Sequence, residues 1–143
     1  MEQPAAGNDE AEGKTILVAG GGGIGGGRAR RYAQEGANVL LGDINADAAA
    51  EVVDEITAAG GKALATRLDG TDEQSIVEAV TLARDNYGGV DGLRANFASF
   101  VDRDQDTCIL ELSLEAFDET MRVNLQGYYL CTRVAYGGVT MRP

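Results

Sequence analysis

The sequence predicts an α/β fold, a doubly wound parallel sheet, from three observations. Four short apolar runs alternate with longer amphipathic ones. A run from Gly20 to Gly27, glycine everywhere except Ile24, separates the first apolar run from the first helical pattern. The second apolar run ends in an acid, Asp43. Strands and helices in this order demand parallel strands joined by right-handed crossovers, with helices on both faces.

Thr15–Ala19 reads as the first strand, apolar enough to be buried on both faces. Ile24–Glu35 is the first helix, closed by Gly36, and Asn38–Gly42 is the second strand. Asn45 is placed to cap a second helix, Ala46–Ala59, in which Val52, Val53 and Ile56 share a face before the stop at Gly60-Gly61. Lys62–Leu68 follows as the third strand. Thr71-Asp72-Glu73-Gln74 has the form of a capping box for a third helix, Glu73–Asn86, with Ile76, Val77, Val80 and Ala83 facing inward. After Gly88-Gly89, Val90–Asn96 is the fourth strand. An acidic loop from Phe97 to Leu112 leads to a last helix, Leu114–Ala135, capped by Ser113, and Tyr136–Pro143 is expected as coil.

Within the glycine run, Gly20-x-Gly22-x-x-Gly25 has the spacing of a dinucleotide-binding turn. Such a turn leaves a strand sharply, lets backbone approach a pyrophosphate, and packs a helix tightly on the sheet. The amides opening that helix then face the phosphates. A glycine-rich linker would share the composition. The position between strand and helix, with Asp43 about 20 residues on where an acid meets ribose hydroxyls, argues for a nucleotide cofactor site. A register ending at Gly26 also fits the run.

The 143 residues suffice for one domain that buries roughly two-thirds of its unfolded surface. Residues 1–13 are acidic and rich in Ala and Gly, expected as a disordered tail and not as a targeting segment; residues 14–143 form the domain. A formal charge of −11 argues against nucleic acid or an anionic membrane as partner. No apolar run approaches the ~20 residues that span a bilayer. The chain has no histidine, which excludes a Ser-His-Asp triad, a Cys-His pair and His-ligated metal within it, and no metal site is expected. Cys108 and Cys131 lack metal or disulfide spacing, so free thiols in a reducing cytoplasm are expected.

From Gly13 to about Arg133 the chain resembles the N-terminal half of a short-chain dehydrogenase/reductase. The resemblance rests on the Gly20–Gly25 turn, Glu35-Gly36-Ala37, Asp43, Leu68-Asp69-Gly70-Thr71-Asp72, Asn96, and Val123-Asn124-Leu125-x-Gly127. It implies a Rossmann-like fold and an NAD-type cofactor. Gly20, Gly22, Gly23, Ile24 and Gly25 would hold the phosphates, with Asp43 and the adjoining Ile44 at the ribose. Asp69 and Gly70 would lie at the adenine, Asn96 and Ala98 beside the cofactor. Asn124 would be the asparagine of the family's catalytic tetrad, holding a water in a proton relay. The carboxylate at Asp43 would repel a 2′-phosphate, so NAD is favoured over NADP. Asp43, Asp69 and Asn124 each have a purely structural alternative: a solvated strand end, a turn former, and a bond to the fourth strand's backbone.

The departures are equally specific. The turn is one residue shorter than the family's, with Ala19 in place of its usual threonine. Phe97 puts a ring where a small residue normally lets the cofactor lie close. The family's chemistry also needs Tyr-x-x-x-Lys and a serine. The only lysines are Lys14 and Lys62, and Tyr129 to Arg133 imitates the spacing with arginine. The chain therefore reads as the cofactor-binding half of an NAD-dependent alcohol/ketone oxidoreductase, its sheet ending after four strands and the catalytic Ser, Tyr and Lys not present. The alternatives are a non-catalytic NAD-binding module or an interaction module. Association of copies through the last helix or an open sheet edge is expected.

Overall fold

The computed structural model describes residues 11–99 and 108–137. Four strands, β1 (Thr15–Ala19), β2 (Asn38–Asp43), β3 (Lys62–Arg67) and β4 (Gly92–Ala95), form one parallel sheet in the order β3-β2-β1-β4. The helices α1 (Gly23–Gln34), α2 (Ala46–Ala58) and α3 (Glu73–Tyr87) link them in turn. After β4 come α4 (Leu114–Met121), a π-helical turn (Arg122–Gln126) and α5 (Gly127–Gly137). This is the Rossmann-like α/β architecture expected.

The register shows why both sheet faces are apolar. Leu64, Leu40, Leu17 and Leu93 align in one row across the sheet. That row packs against Ile76, Val80 and Ala83 of α3 and Leu130, Cys131 and Val134 of α5. One residue further, Ala65, Leu41 and Val18 face the other way, against Ala29 and Ala33 of α1 and Val52, Val53 and Ile56 of α2. Leu17, Leu40 and Leu41 are fully buried, each stabilising the fold by about 1.5–3 kcal/mol. This second row ends at Arg94, on the edge strand, whose Nε is buried with no hydrogen-bond partner among the described residues.

Several boundaries differ from expectation. β4 is shorter than Val90–Asn96, although its ladder continues in the bonds Asp91 N to Thr15 O (2.8 Å) and Asn96 N to Ala19 O (2.7 Å). The cap of α3 is Asp72, whose carboxylate accepts from Gln74 N, and not Thr71, which is turned to Asp69. The last helix is interrupted by the π-helical turn and runs on to Gly137, so Tyr136 is helical and not coil. The expected tail is too long: Ala11 packs on the α1/α2 core and Gly13 N donates to Gly36 O at 3.1 Å. Residues 1–10, 100–107 and 138–143, which hold the rest of that tail, half of the acidic loop and the rest of the terminal coil, lie outside the described residues.

Candidate functional site

The turn after β1 is built by two close approaches. Gly20 has φ +104°, and a Cβ there would stand 2.7 Å from Phe97 N, so the exits of β1 and β4 touch. A Cβ on Gly25 would overlap the Gly20 carbonyl oxygen, whereas one on Gly26 would stand 2.8 Å from Gly21 O. Gly25 is therefore the tighter of the two candidate helix positions. Gly22 and Gly23 are the reverse: nothing lies within 4 Å of either Cβ position, and Ile24 is 68% exposed beside them.

The start of α1 differs from the other helix starts. α2, α3 and α4 each carry a side-chain cap and a first-turn acid: Asn45 with Asp47, Asp72 with Glu73, Ser113 with Glu115. α1 begins from Gly22 with neither. Among the described residues its first-turn amides have no side-chain partner and its first turn holds no acid, while the Asp43 carboxylate reaches the amide just before them, Gly21 N.

Asp43 closes the site from β2. Its Oδ2 accepts from Gly21 N at 2.6 Å and its Oδ1 from Asn45 N at 2.8 Å, so one carboxylate fixes both the glycine turn and the approach to α2. Ile44 beside it is 64% exposed. Beyond β3, Asp69 Oδ1 accepts from Thr71 Oγ1 (2.7 Å) and Thr71 N (2.9 Å). The hydroxyl bond first, then the backbone bond, hold this carboxyl below its ordinary range against a smaller opposing effect of burial.

The loop after β4 supplies the third wall. Asn96 is tied to β1 by its backbone, and its Nδ2 lies 3.2 Å from the Cβ position of Gly25. Ala98 is exposed, and Ser99 N donates to Asn124 Oδ1 at 2.8 Å. Asn124 sits in the π-helical turn, and its bond goes to Ser99 in the loop after β4 and not to the strand itself. Tyr129 and Arg133 do not form a tyrosine–lysine-like pair: Arg133 pairs with Glu73 of α3 and lies over the Tyr129 ring.

Phe97 behaves differently from expectation. Its ring turns into the α3/α5 core, with its centroid 4.9 Å from that of Tyr128, whose hydroxyl donates to Phe97 O at 2.8 Å. A groove lined by Arg30, Gln34, Glu55, Ile56 and Gly60 lies near the C-terminal ends of α1 and α2, away from the candidate residues and bridged by the Arg30–Glu55 ion pair.

Turn, crossovers and strand order together define a class, an α/β protein of the doubly wound, Rossmann-like kind. The chain belongs to the short chain dehydrogenase family, whose model matches residues 14–139. It is 39% identical over 124 residues to a 2,5-dichloro-2,5-cyclohexadiene-1,4-diol dehydrogenase of Sphingobium indicum, covering 86% of this chain and 48% of that protein. A cyclohexanol dehydrogenase of an Acinetobacter strain is 37% identical over 117 residues, covering 81% of this chain and 45% of that protein. Among solved structures, a dehydrogenase/reductase from Sinorhizobium meliloti superposes with a TM-score of 0.79 at 37% identity, covering 87% of this chain and 48% of that one. The chain thus spans about half the length of these relatives. The family is one of oxidoreductases that generally bind NAD(P). No helix among the described residues is long and apolar enough to cross a membrane.

Proposed function

We propose that this chain forms the cofactor-binding half of an NAD-dependent oxidoreductase acting on an alcohol or ketone. The observation that carries the reading is the start of α1. Alone among α1 to α4 it lacks both cap and acid, and it opens on the space beside Gly22 and Gly23 that a Cβ would fill. A pyrophosphate supplies there the negative charge and acceptors that side chains supply at the other helices. Gly20 and Gly25 hold the turn against β4 and the helix, and Ile24 opens α1 beside it.

Asp43 and Ile44 receive the ribose, with the carboxylate excluding a 2′-phosphate and so selecting NAD over NADP. Asp69 and Gly70 receive the adenine, and Asn96 and Ala98 border the nicotinamide side. Asn124 serves the proton relay while anchoring Ser99. When bound, the nicotinamide supplies or accepts the hydride. The relatives that are dehydrogenases of ring alcohols support the substrate class. We assign the residues of this chain cofactor binding, with a non-catalytic NAD-binding module as the second reading, since Arg133 beside Tyr129 is taken up by Glu73. We assign it to the cytoplasm, with Cys108 and Cys131 as free thiols. The exposed row Leu114, Phe117, Met121, Leu125 and Tyr129 is the face on which copies associate.

Calorimetric titration with NADH and NADPH tests the assignment. NADH is expected to bind saturably and at least about tenfold more tightly than NADPH, a difference of about 1.4 kcal/mol. Binding of neither would overturn the reading; a preference for NADPH would overturn the role of Asp43.

A further inference from the structure

Three segments that surround the candidate site meet at one side chain that none of the proposed ligand contacts uses. A Cβ on Gly70 would fall 2.6 Å from Phe97 Cε1, and one on Gly127 would fall 2.8 Å from Phe97 Cε2. The Phe97 ring therefore fills the space of two missing side chains, one beside Asp69 and the other at the end of the π-helical turn that carries Asn124. These two segments also press on each other, since the Gly127 Cβ position is 3.0 Å from Gly70 O. On the backbone side, Phe97 N abuts Gly20, and Phe97 O accepts from Tyr128.

We propose that Phe97 is a positioning residue: its ring, seated over Gly70 and Gly127, sets the loop after β4 so that Asn96 lies under Gly25 and Ser99 reaches Asn124. Strand pairing does not place this loop, because the ladder ends at the bond from Asn96 N to Ala19 O. Past Asn96 the backbone is held by side chains: Tyr128 and Asn124 bond it at Phe97 O and Ser99 N, and the Phe97 ring anchors it in the core. Without it the segments on either side relax only partly into the vacated volume. Asp69, Asn96 and Asn124 then lose their common spacer. The consequence for cofactor affinity rests on the function proposed above; the consequence for the loop does not.

The test uses the ligand-free 143-residue chain and two amides bonded to side chains, Ser99 N on Asn124 and Gly21 N on Asp43. Hydrogen exchange by NMR in Phe97→Ala is expected to accelerate at Ser99 by about tenfold and at Gly21 by less than about threefold. Gly70→Val, which drives its branches into the ring, is expected to do the same. The double variant Phe97→Ala/Gly70→Val refills the space and is expected to return Ser99 to within about threefold of the parent. The NADH dissociation constant should rise in Phe97→Ala, which leaves every residue placed at the cofactor unchanged. Equal acceleration at both amides, or a double variant no better than Phe97→Ala, overturns the proposal. Phe97→Leu keeps an apolar side chain and serves if the alanine variant does not fold: it should accelerate Ser99 selectively, and unchanged exchange there counts against the ring. If the parent binds no NADH, the function fails while the exchange result still decides the role of Phe97.

Discussion

Around Gly22 and Gly23 nothing stands within 4 Å of where a side chain would begin, whereas at Gly70 and Gly127 the Phe97 ring already occupies that place. The two pairs look alike in sequence and serve opposite ends. The first pair keeps a helix start open toward the outside, at the one helix among α1 to α4 with neither cap nor acid. The second makes room for the protein's own core beneath the same site. A glycine thus records that a side chain is missing, and only the fold tells what uses the room.

The strongest way to break this comparison is at the packed end of the turn. Gly25→Ala puts a methyl group onto the Gly20 carbonyl, and a loss of about 3 kcal/mol or more is expected by urea unfolding. Wild-type stability would show that the turn can shift at no cost. Gly23→Ala sharpens the contrast with a smaller effect of opposite sign. It meets nothing, sits at the helix start, and should stabilise the chain by about 0.5 kcal/mol while weakening NADH binding. Unchanged NADH affinity would remove the ligand from that space.

The smallest effect concerns acid stability. Asp69 is held below its ordinary value of 3.8, chiefly by the Thr71 hydroxyl. A lowered folded value stabilises the native state above the unfolded value, and that contribution is lost as pH falls through the folded one. Thr71→Val should raise the carboxyl toward 3.8, so that the contribution shrinks and its loss is complete at a higher pH, as read by NMR titration of Asp69. An unmoved titration would assign the shift to the backbone bond and the charges of Arg67 and Arg122.

The fold was legible because it is written in local patterns. Buried parallel strands read as apolar runs, and helices stopped by Gly36 and Gly60-Gly61 punctuate them. Less was legible where two neighbours offer the same chemistry. Thr71 and Asp72 are both cap formers, and the carboxylate of Asp72 took the cap while Thr71 turned to Asp69. The π-helical turn has no local signature, since Arg122–Gln126 suits an ordinary helix equally well. Phe97 reads as an obstacle in sequence because its accommodation depends on Gly70 and Gly127, distant along the chain and joined only by the fold. One signal was available in the sequence and missed: between Gly20 and Gly27 no Ser, Thr, Asp or Asn offers a cap.

The central claim is that the open glycines face a ligand while the filled ones face the core. Mapping amide shifts of the 143-residue chain on addition of NADH tests it most directly. Large changes are predicted at Gly22, Gly23 and Ile24, with further changes at Gly21 beside Asp43 and small ones at Gly127. Shifts absent from the α1 start, or concentrated instead along the groove near Arg30 and Glu55, would contradict it.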